Sequence, residues 1–433
     1  MKGVEKKMSV CDNPMISDIL DLVSIQSFTD DLEGIKKCQE KVAEIAERFG
    51  FEWRIAGGGR VVVVTPKGCS DKPKLGIITH IDTVPFDPKD WKYSPLGEVV
   101  DGRMYGRGVI DDKAAVIHSL YAMHDLEGLI EPSWQLIIGS SEEGEWVDMA
   151  EYLKENPVLP EFSFTADGDG IQNGCRGTLN ISLKFFRVPT WRHFKTFEVV
   201  NPVWNTTPMC VRMKTQSGGY REYKGEGKHT SLEGIKISDN AIYKAYIANQ
   251  TYFQREFPHF VRFMELLNKN SSGKYLFLSD YRIKDSTIPG TSVIPVDVKM
   301  SGDVLSLSLN VRLGPGVKSY DVHNTIRTLK YEYRCKVSVY DSVLGSYVPK
   351  DSDEIKLMLE CYEDVLGTKT ECTFARGTGY NAAFPNCTIF GPRFAIDHDE
   401  EDFCNQVNES RSLEDIYKFH EMLKAFVRRY LKR

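Results

Sequence analysis

The chain has no run of apolar residues near the roughly 18 that a membrane helix needs, its longest being short ones such as Val61–Val64. No membrane span is expected. It also lacks clusters of lysine or arginine: 55 basic against 61 acidic residues leave a formal charge of −6, so neither nucleic acid nor an anionic membrane is an expected partner. The ten cysteines are scattered singly, without a CxxC pair, and a chain of 433 residues does not need staples, so reduced thiols are expected. The opening stretch MKGVEKKMSVCDNPMISDIL is charged and broken by Asn13 and Pro14, which does not suit a secretory signal, and a cytoplasmic protein is expected. What is present is an average soluble composition, 41% hydrophobic and 27% charged, in a length that suits two or three domain-sized units.

Periodicity predicts helices over 15–24 and 33–49, then a strand, RVVVVT at 60–65, behind the turn signal GGG at 57–59. An alternation follows: strand LGIITHI (75–81), helix 111–127, strand WQLIIGS (134–140), helix 147–156 and strand FSFTA (162–166). Strands alternating with helices imply βαβ crossovers and a mainly parallel, doubly wound sheet covered on both faces, an α/β fold. From about 177 the texture changes to an α+β unit: strand LNISLKFFRV, a polar loop-rich stretch to about 230, a helix over 238–254, and alternating strands LSLSLNVRL and KVSVY. Beyond 346 the helix, turn and strand texture returns with NCTIFG (386–391) and a long helix over 412–431. The expected organisation is one α/β domain made of 1–177 plus 344–433, with an α+β domain inserted at 178–343.

Four acidic clusters fall at the edge where open α/β sheets form sites: His80-Ile81-Asp82, Asp111-Asp112 opening a helix, Glu142-Glu143, and Asp167. One such cluster is ordinary, since Asp and Glu are good helix starters. A rim of one His and five carboxylates, with Asp82 beside it, is different, because packed carboxylates repel and a cation resolves the repulsion. Imidazole with carboxylates suits zinc, cobalt or manganese better than calcium. His80 and Asp82, two apart on an extended segment, project to one side, so Asp82 can accept from the second imidazole nitrogen. Adjacent Glu142 and Glu143 point different ways, which lets one bind metal while the other handles a water proton.

At these residues the chain resembles the peptidase V and carnosinase-like dipeptidases, within the superfamily of aminoacylases, desuccinylases and glutamate carboxypeptidases. The resemblance runs through HIDTVP (80–85), WKYSPLGEVVDGRMYGRGVIDDK (91–113), SSEEGEWVDM (140–149) and FSFTADGDG (162–170), in order and at the expected separations. It implies that His80 and Asp167 bind one zinc and Glu143 the other, with Asp111 bridging, Glu142 as general base and Asp82 orienting His80. It implies a cis peptide at Asp111-Asp112. The inserted segment is similar to the family's lid: GKHTSLEG (227–234) makes His229 the group that polarises the scissile carbonyl, Asn205 corresponds to a lid asparagine with a related task, and Arg312 in LNVRLGPG matches the arginine that holds the substrate carboxylate. A lid of this size is closer to the self-sufficient kind, which favours a monomer over a lid-mediated homodimer.

One departure stands out. The family's last zinc ligand is a histidine in a pattern like AHQxNE, and here the matching stretch FCNQVNES (403–410) puts Asn405 at that position. An amide oxygen is a poorer zinc ligand than imidazole, so with Asn405 the site shared by Asp111 and Glu143 is expected to be weak, to take a harder ion or to be empty, unless His398, seven residues upstream, completes it; Cys404, adjacent, is expected to point elsewhere. The reading that follows is a metal-dependent dipeptidase acting on short unblocked peptides through a metal-activated water, with Zn2+ as cofactor, one or two ions, or Co2+ or Mn2+ in its place. The alternatives are an N-acyl amino acid deacylase, or a catalytically impaired ligand-binding relative, which Asn405 would suit.

Overall fold

The computed structural model describes residues 13–188, 196–214, 218–232, 234–269, 276, 282–283, 285–394 and 404–433. The chain divides into two compact units, one running to Gly174 and resuming at Tyr347–Thr373 and Gly379–Arg433, the other made of Cys175–Ser346 and Phe374–Thr378.

The first unit is built on a mixed sheet. Its central strands Trp134–Gly139, Leu75–His80, Phe162–Thr165 and Cys387–Phe390 are parallel neighbours in that order. Outside them the pairing turns antiparallel, through Val61–Thr65 and Glu52–Ala56 on one side and Ile171–Cys175 on the other. The continuous apolar runs are explained by burial on both faces. Val62, Val64, Ile77, Leu136 and Ile138 pack with the helices Pro14–Val23, Leu32–Arg48, Lys113–Asp125 and Leu413–Leu431, whereas Val61, Val63, Ile78 and Ile137 pack with Met149, Tyr152, Tyr380 and Phe384. Helix starts carry the expected caps: Asn13 accepts from Met15 N and Ile16 N, Asp31 from Gly34 N, and Ser412 from Asp415 N.

A small second sheet matters for the site. Strand Ser410–Ser412 pairs antiparallel with Arg103–Tyr105, which pairs with Glu98–Val100. That register lays residues 404–409 along the loop 106–112.

The other unit has a seven-stranded antiparallel sheet, ordered Tyr220–Lys224, Cys210–Lys214, Phe197–Val199, Ser292–Ser301, Val304–Leu313, Gly177–Phe186 and Lys336–Val343. Its core gathers Leu179, Ile181, Leu183, Leu305, Leu307 and Leu309 with the aromatic residues of the helices Ala241–Ala248, Gln250–Glu256 and Pro258–Lys269.

Several expectations are corrected. The stretch expected as polar loop holds three strands, at 197–199, 210–214 and 220–224; in the last of these the residues are mostly exposed, so no apolar alternation marks it. The single helix expected over 238–254 is two, broken where Asn249 leaves helical angles at φ −127°, and Pro258 then begins a third. The edge strand Glu52–Ala56 gave no signal because four of its five residues are exposed.

Candidate metal centre and substrate contacts

The carboxyl ends of the parallel strands deliver the acidic rim. His80 ends one strand, Glu142-Glu143 follow the strand ending at Gly139, Asp167 follows the strand ending at Thr165, and Asp111 lies just before the helix that starts at Lys113. The Asp111-Asp112 peptide is cis. Donor atoms of His80, Asp111 and Asp167 all lie within 4.8 Å of one another.

The environment of His80 shows what this trio fits. Its Nδ1 lies 3.0 Å from the Asp82 carbonyl and 3.3 Å from Asp82 Oδ1, two acceptors that call for a proton on that nitrogen. Nε2 faces Asp111 Oδ1 at 2.9 Å, and both residues are buried. Burial opposes a charge on the ring, yet the bonds to Asp111 and Asp82 hold the His80 pKa well above its ordinary value, so a proton on Nε2 joins the two atoms. A divalent ion between them would take the place of that proton. Donors bound to one zinc at tetrahedral angles lie about 3.3 Å apart, so the trio fits a divalent ion.

Charge in the rim follows the same logic. Burial, followed by Asp111, pushes the Asp167 carboxyl up to about 7 and that of Glu143 up to about 8. Burial also holds Glu142 well above the usual carboxylate range, against the pull of His80 and with the push of Glu143. Burial works on Asp111 too, yet the bond and charge of His80 outweigh it and hold that carboxyl low. Asp82 has a further task beside His80: its two oxygens accept from Glu142 N and Glu143 N, each at 3.1 Å, and from Thr29 Oγ1 at 2.8 Å. One carboxylate thus fixes both the imidazole and the Glu142-Glu143 turn.

In the other unit, the ladder contact between Thr206 and His229 and the bond from Thr230 N to the Asn205 carbonyl, 2.8 Å, bring Asn205 and His229 together. His229 Nδ1 accepts from Ser231 N at 3.3 Å, and since an amide N–H only donates, the ring proton is on Nε2. Burial, then the Arg312 charge, hold the His229 pKa down, so the ring is a neutral N–H donor. Arg312 is buried and reaches hydroxyl groups: Thr178 Oγ1 at 2.9 Å and Thr230 Oγ1 at 3.2 and 3.3 Å. No carboxylate takes its fork in these bonds, which suits it to one brought by a ligand.

The sequence pattern of peptidase family M20/M25/M40 matches residues 76–429. The chain belongs to that family. The Beta-Ala-Xaa dipeptidase of Lactobacillus delbrueckii subsp. lactis is 32% identical to it, covering 87% of this chain and 88% of that one. Among solved structures, human carnosine dipeptidase 1 shares the fold with a TM-score of 0.59 at 15% identity, over 97% of this chain and 96% of that one. Aminoacylhistidine dipeptidase from Vibrio alginolyticus does so with a TM-score of 0.63 at 12% identity, over 97% of each. The chain is therefore a metallopeptidase on the α/β fold of the M20 family.

The M20 rim also contains residues to which the sequence alone attached no role. Glu409 Oε1 accepts from Gly108 N and Ile110 N at 3.0 and 2.9 Å and Oε2 pairs with Arg107 at 2.6 Å, which pins the loop before Asp111. The resemblance to NQVNE contained Glu409 but gave it no partner. Tyr380 donates to Asp148 Oδ2 at 2.6 Å and accepts from Ser141 N at 3.0 Å, with its ring edge-on to His80. Gly139 makes room for this pair: a Cβ there would lie 2.6 Å from the Tyr380 hydroxyl and 2.7 Å from Asp148 Oδ2. Cys404 corrects an expectation, since its Sγ lies 3.6 Å from Asp111 Oδ2; the turn at Asn405, φ 60°, defeats the alternation of an extended strand and turns both neighbours toward one carboxylate. His398 lies outside the described residues.

Proposed function

We propose that this metallopeptidase is a dipeptidase that cleaves short peptides with a free carboxylate, with Zn2+ as its metal. His80, Asp111 and Asp167 would hold the ion, Asp82 would orient His80, and the ion would supply the positive charge that acidifies water and polarises a carbonyl. Glu142 takes the proton of the attacking water and returns it to the leaving amine. His229 donates its Nε2–H to the carbonyl oxygen as negative charge develops there, Asn205 assists beside it, and Arg312 takes the substrate carboxylate. Glu142 carries the reading: like Glu143 it stands outside the three-donor group with its backbone N–H fixed by Asp82, but it is Glu143 whose carboxylate Asn405 ties up. The likeness to a Beta-Ala-Xaa dipeptidase over most of both chains favours a dipeptide over an N-acyl amino acid.

A monomer working in the cytoplasm belongs to the same reading. No helix of the described residues is long and apolar enough to cross a membrane. The test is a panel of unblocked dipeptides and N-acylated amino acids with zinc, cobalt or manganese, run beside Glu142→Gln. Amino acid release from dipeptides that disappears in the variant is the expected result. Release from the acylated set alone would make the protein a deacylase, and no turnover with any metal would favour a ligand-binding relative.

A further inference from the structure

The rim carries more carboxylates than one divalent ion neutralises, and they are held in two different ways. His80, Asp111 and Asp167 form the one three-donor group found among the described residues. Glu143 stands outside it. Its Oε1 accepts from Asn405 Nδ2 at 2.9 Å, and the same nitrogen donates to Asp111 Oδ2 at 2.8 Å. An amide NH2 donates, and here one hydrogen goes to each carboxyl group, so both are used. Asn405 Oδ1 is turned away, buried and without a hydrogen-bond partner. The backbone agrees with this residue, since φ 60° is a left-handed angle that Asn adopts more readily than most.

We propose that the centre takes a single divalent ion, at His80, Asp111 and Asp167, and that the Asn405 amide stands in for a second ion by tying Asp111 to Glu143 through its two N–H bonds. A second ion shared by those two carboxylates would have to displace both bonds. Among the described residues it would gain the neutral Asn405 Oδ1, once the amide rotates, or the Cys404 thiol, whose Sγ now lies 3.6 Å from Asp111 Oδ2. The amide oxygen is poor for zinc, and its rotation would turn the NH2 into the buried position where Oδ1 now has no partner. Joining the two carboxylates by an amide removes the need for the second charge while keeping Glu143, and through its N–H the Asp82 carboxylate, in place.

This inference rests on the metallopeptidase reading for the first ion, but its measure is the number of ions bound and not turnover. The metal-stripped full-length protein is titrated with Zn2+ by calorimetry, and metal content is measured after desalting. One equivalent per chain is expected for the native protein, and two for Asn405→His, with the added ion lost again when Glu143→Gln is combined with it. With Mn2+ at saturation, the native protein is expected to give the electron paramagnetic resonance signal of isolated ions, and Asn405→His that of a coupled pair. Two equivalents in the native protein would overturn the inference, as would none, or a single ion that survives Asp167→Asn but not Glu143→Gln. Hydrolysis with two ions bound sinks the inference and leaves the proposed function standing; one ion with no hydrolysis does the reverse.

Discussion

In the unit built on the mixed sheet, the buried carboxylates of Asp82, Asp148 and Glu409 accept from main-chain N–H groups, whereas in the other unit the buried guanidinium groups of Arg312 and Arg176 are held by hydroxyls and carbonyls. Asp82 accepts from two backbone amides, as do Asp148, from Ser140 and Met149, and Glu409, from Gly108 and Ile110. Arg312 reaches Thr178 and Thr230, and Arg176 reaches the Ser231 and Arg376 carbonyls. Amides at fixed positions hold an anion's geometry without cancelling its charge, and neutral oxygens do the same for a cation. Asp82 thereby keeps a charge that a metal ion beside it can answer, and Arg312 one that an anionic ligand can answer.

The sharpest way to break this contrast is at Glu142. Glu142→Gln keeps the shape of the side chain and removes the proton acceptor, and kcat is expected to fall between about 10²- and 10⁴-fold with bound metal unchanged. A matching loss of metal would make Glu142 a ligand and not a base. On the other side, Arg312→Ala is expected to lower kcat/KM by about 10- to 100-fold, from the roughly 1.5 to 3 kcal/mol of a charge-assisted bond, for peptides with a free carboxylate and little for their amides. An equal loss on both would place Arg312 in the scaffold.

The same Arg312→Ala variant carries a pH test. Burial first and Arg312 second hold His229 below its ordinary value. Below about pH 6.5 the unfolded chain takes a proton there that the fold refuses, so His229 costs stability as the pH falls. Removing Arg312 is expected to move the His229 titration upward, read from its ring resonances by NMR, and to weaken that loss. A titration that stays in place would show that the two do not share a field.

Much of the first unit is legible in the sequence because burial on both faces writes continuous apolar strands, with each acidic cluster standing where a strand ends. The apolar strand runs and the order His80, Asp111, Glu142, Asp167 are enough to draw the parallel centre of the sheet and its rim, though not its exposed edge strand Glu52–Ala56. The second unit is harder to read. Its strand Tyr220–Lys224 is exposed, so there is no alternation to find, and the partners of Arg312 come from positions as far apart as Thr178, Thr230 and Thr378. Hydroxyl residues are common, and nothing local marks the ones that meet a guanidinium. Asn405 was visible as a departure, but which of its atoms faces the carboxylates depends on the turn that carries it.

Tyr380 is the smallest and least legible test of the contrast, because it lies 232 residues from Asp148 and no motif connects them. Its hydroxyl serves two groups at once, donating to Asp148 Oδ2 and accepting from Ser141 N. Tyr380→Phe removes one donor from a carboxylate that still keeps the Ser140 and Met149 amides, and leaves Ser141 N–H without its partner. The expected cost is about 1 to 3 kcal/mol of stability, seen as a lower denaturation midpoint in urea. If the backbone amides are what hold this unit's carboxylates, the variant bound to zinc should keep its metal affinity within a few-fold, since Asp82 fixes His80 and the Glu142-Glu143 turn without Tyr380. A large drop in zinc affinity would instead show that the Tyr380 ring, edge-on to His80, sets the imidazole, and that side chains share the work here assigned to the main chain.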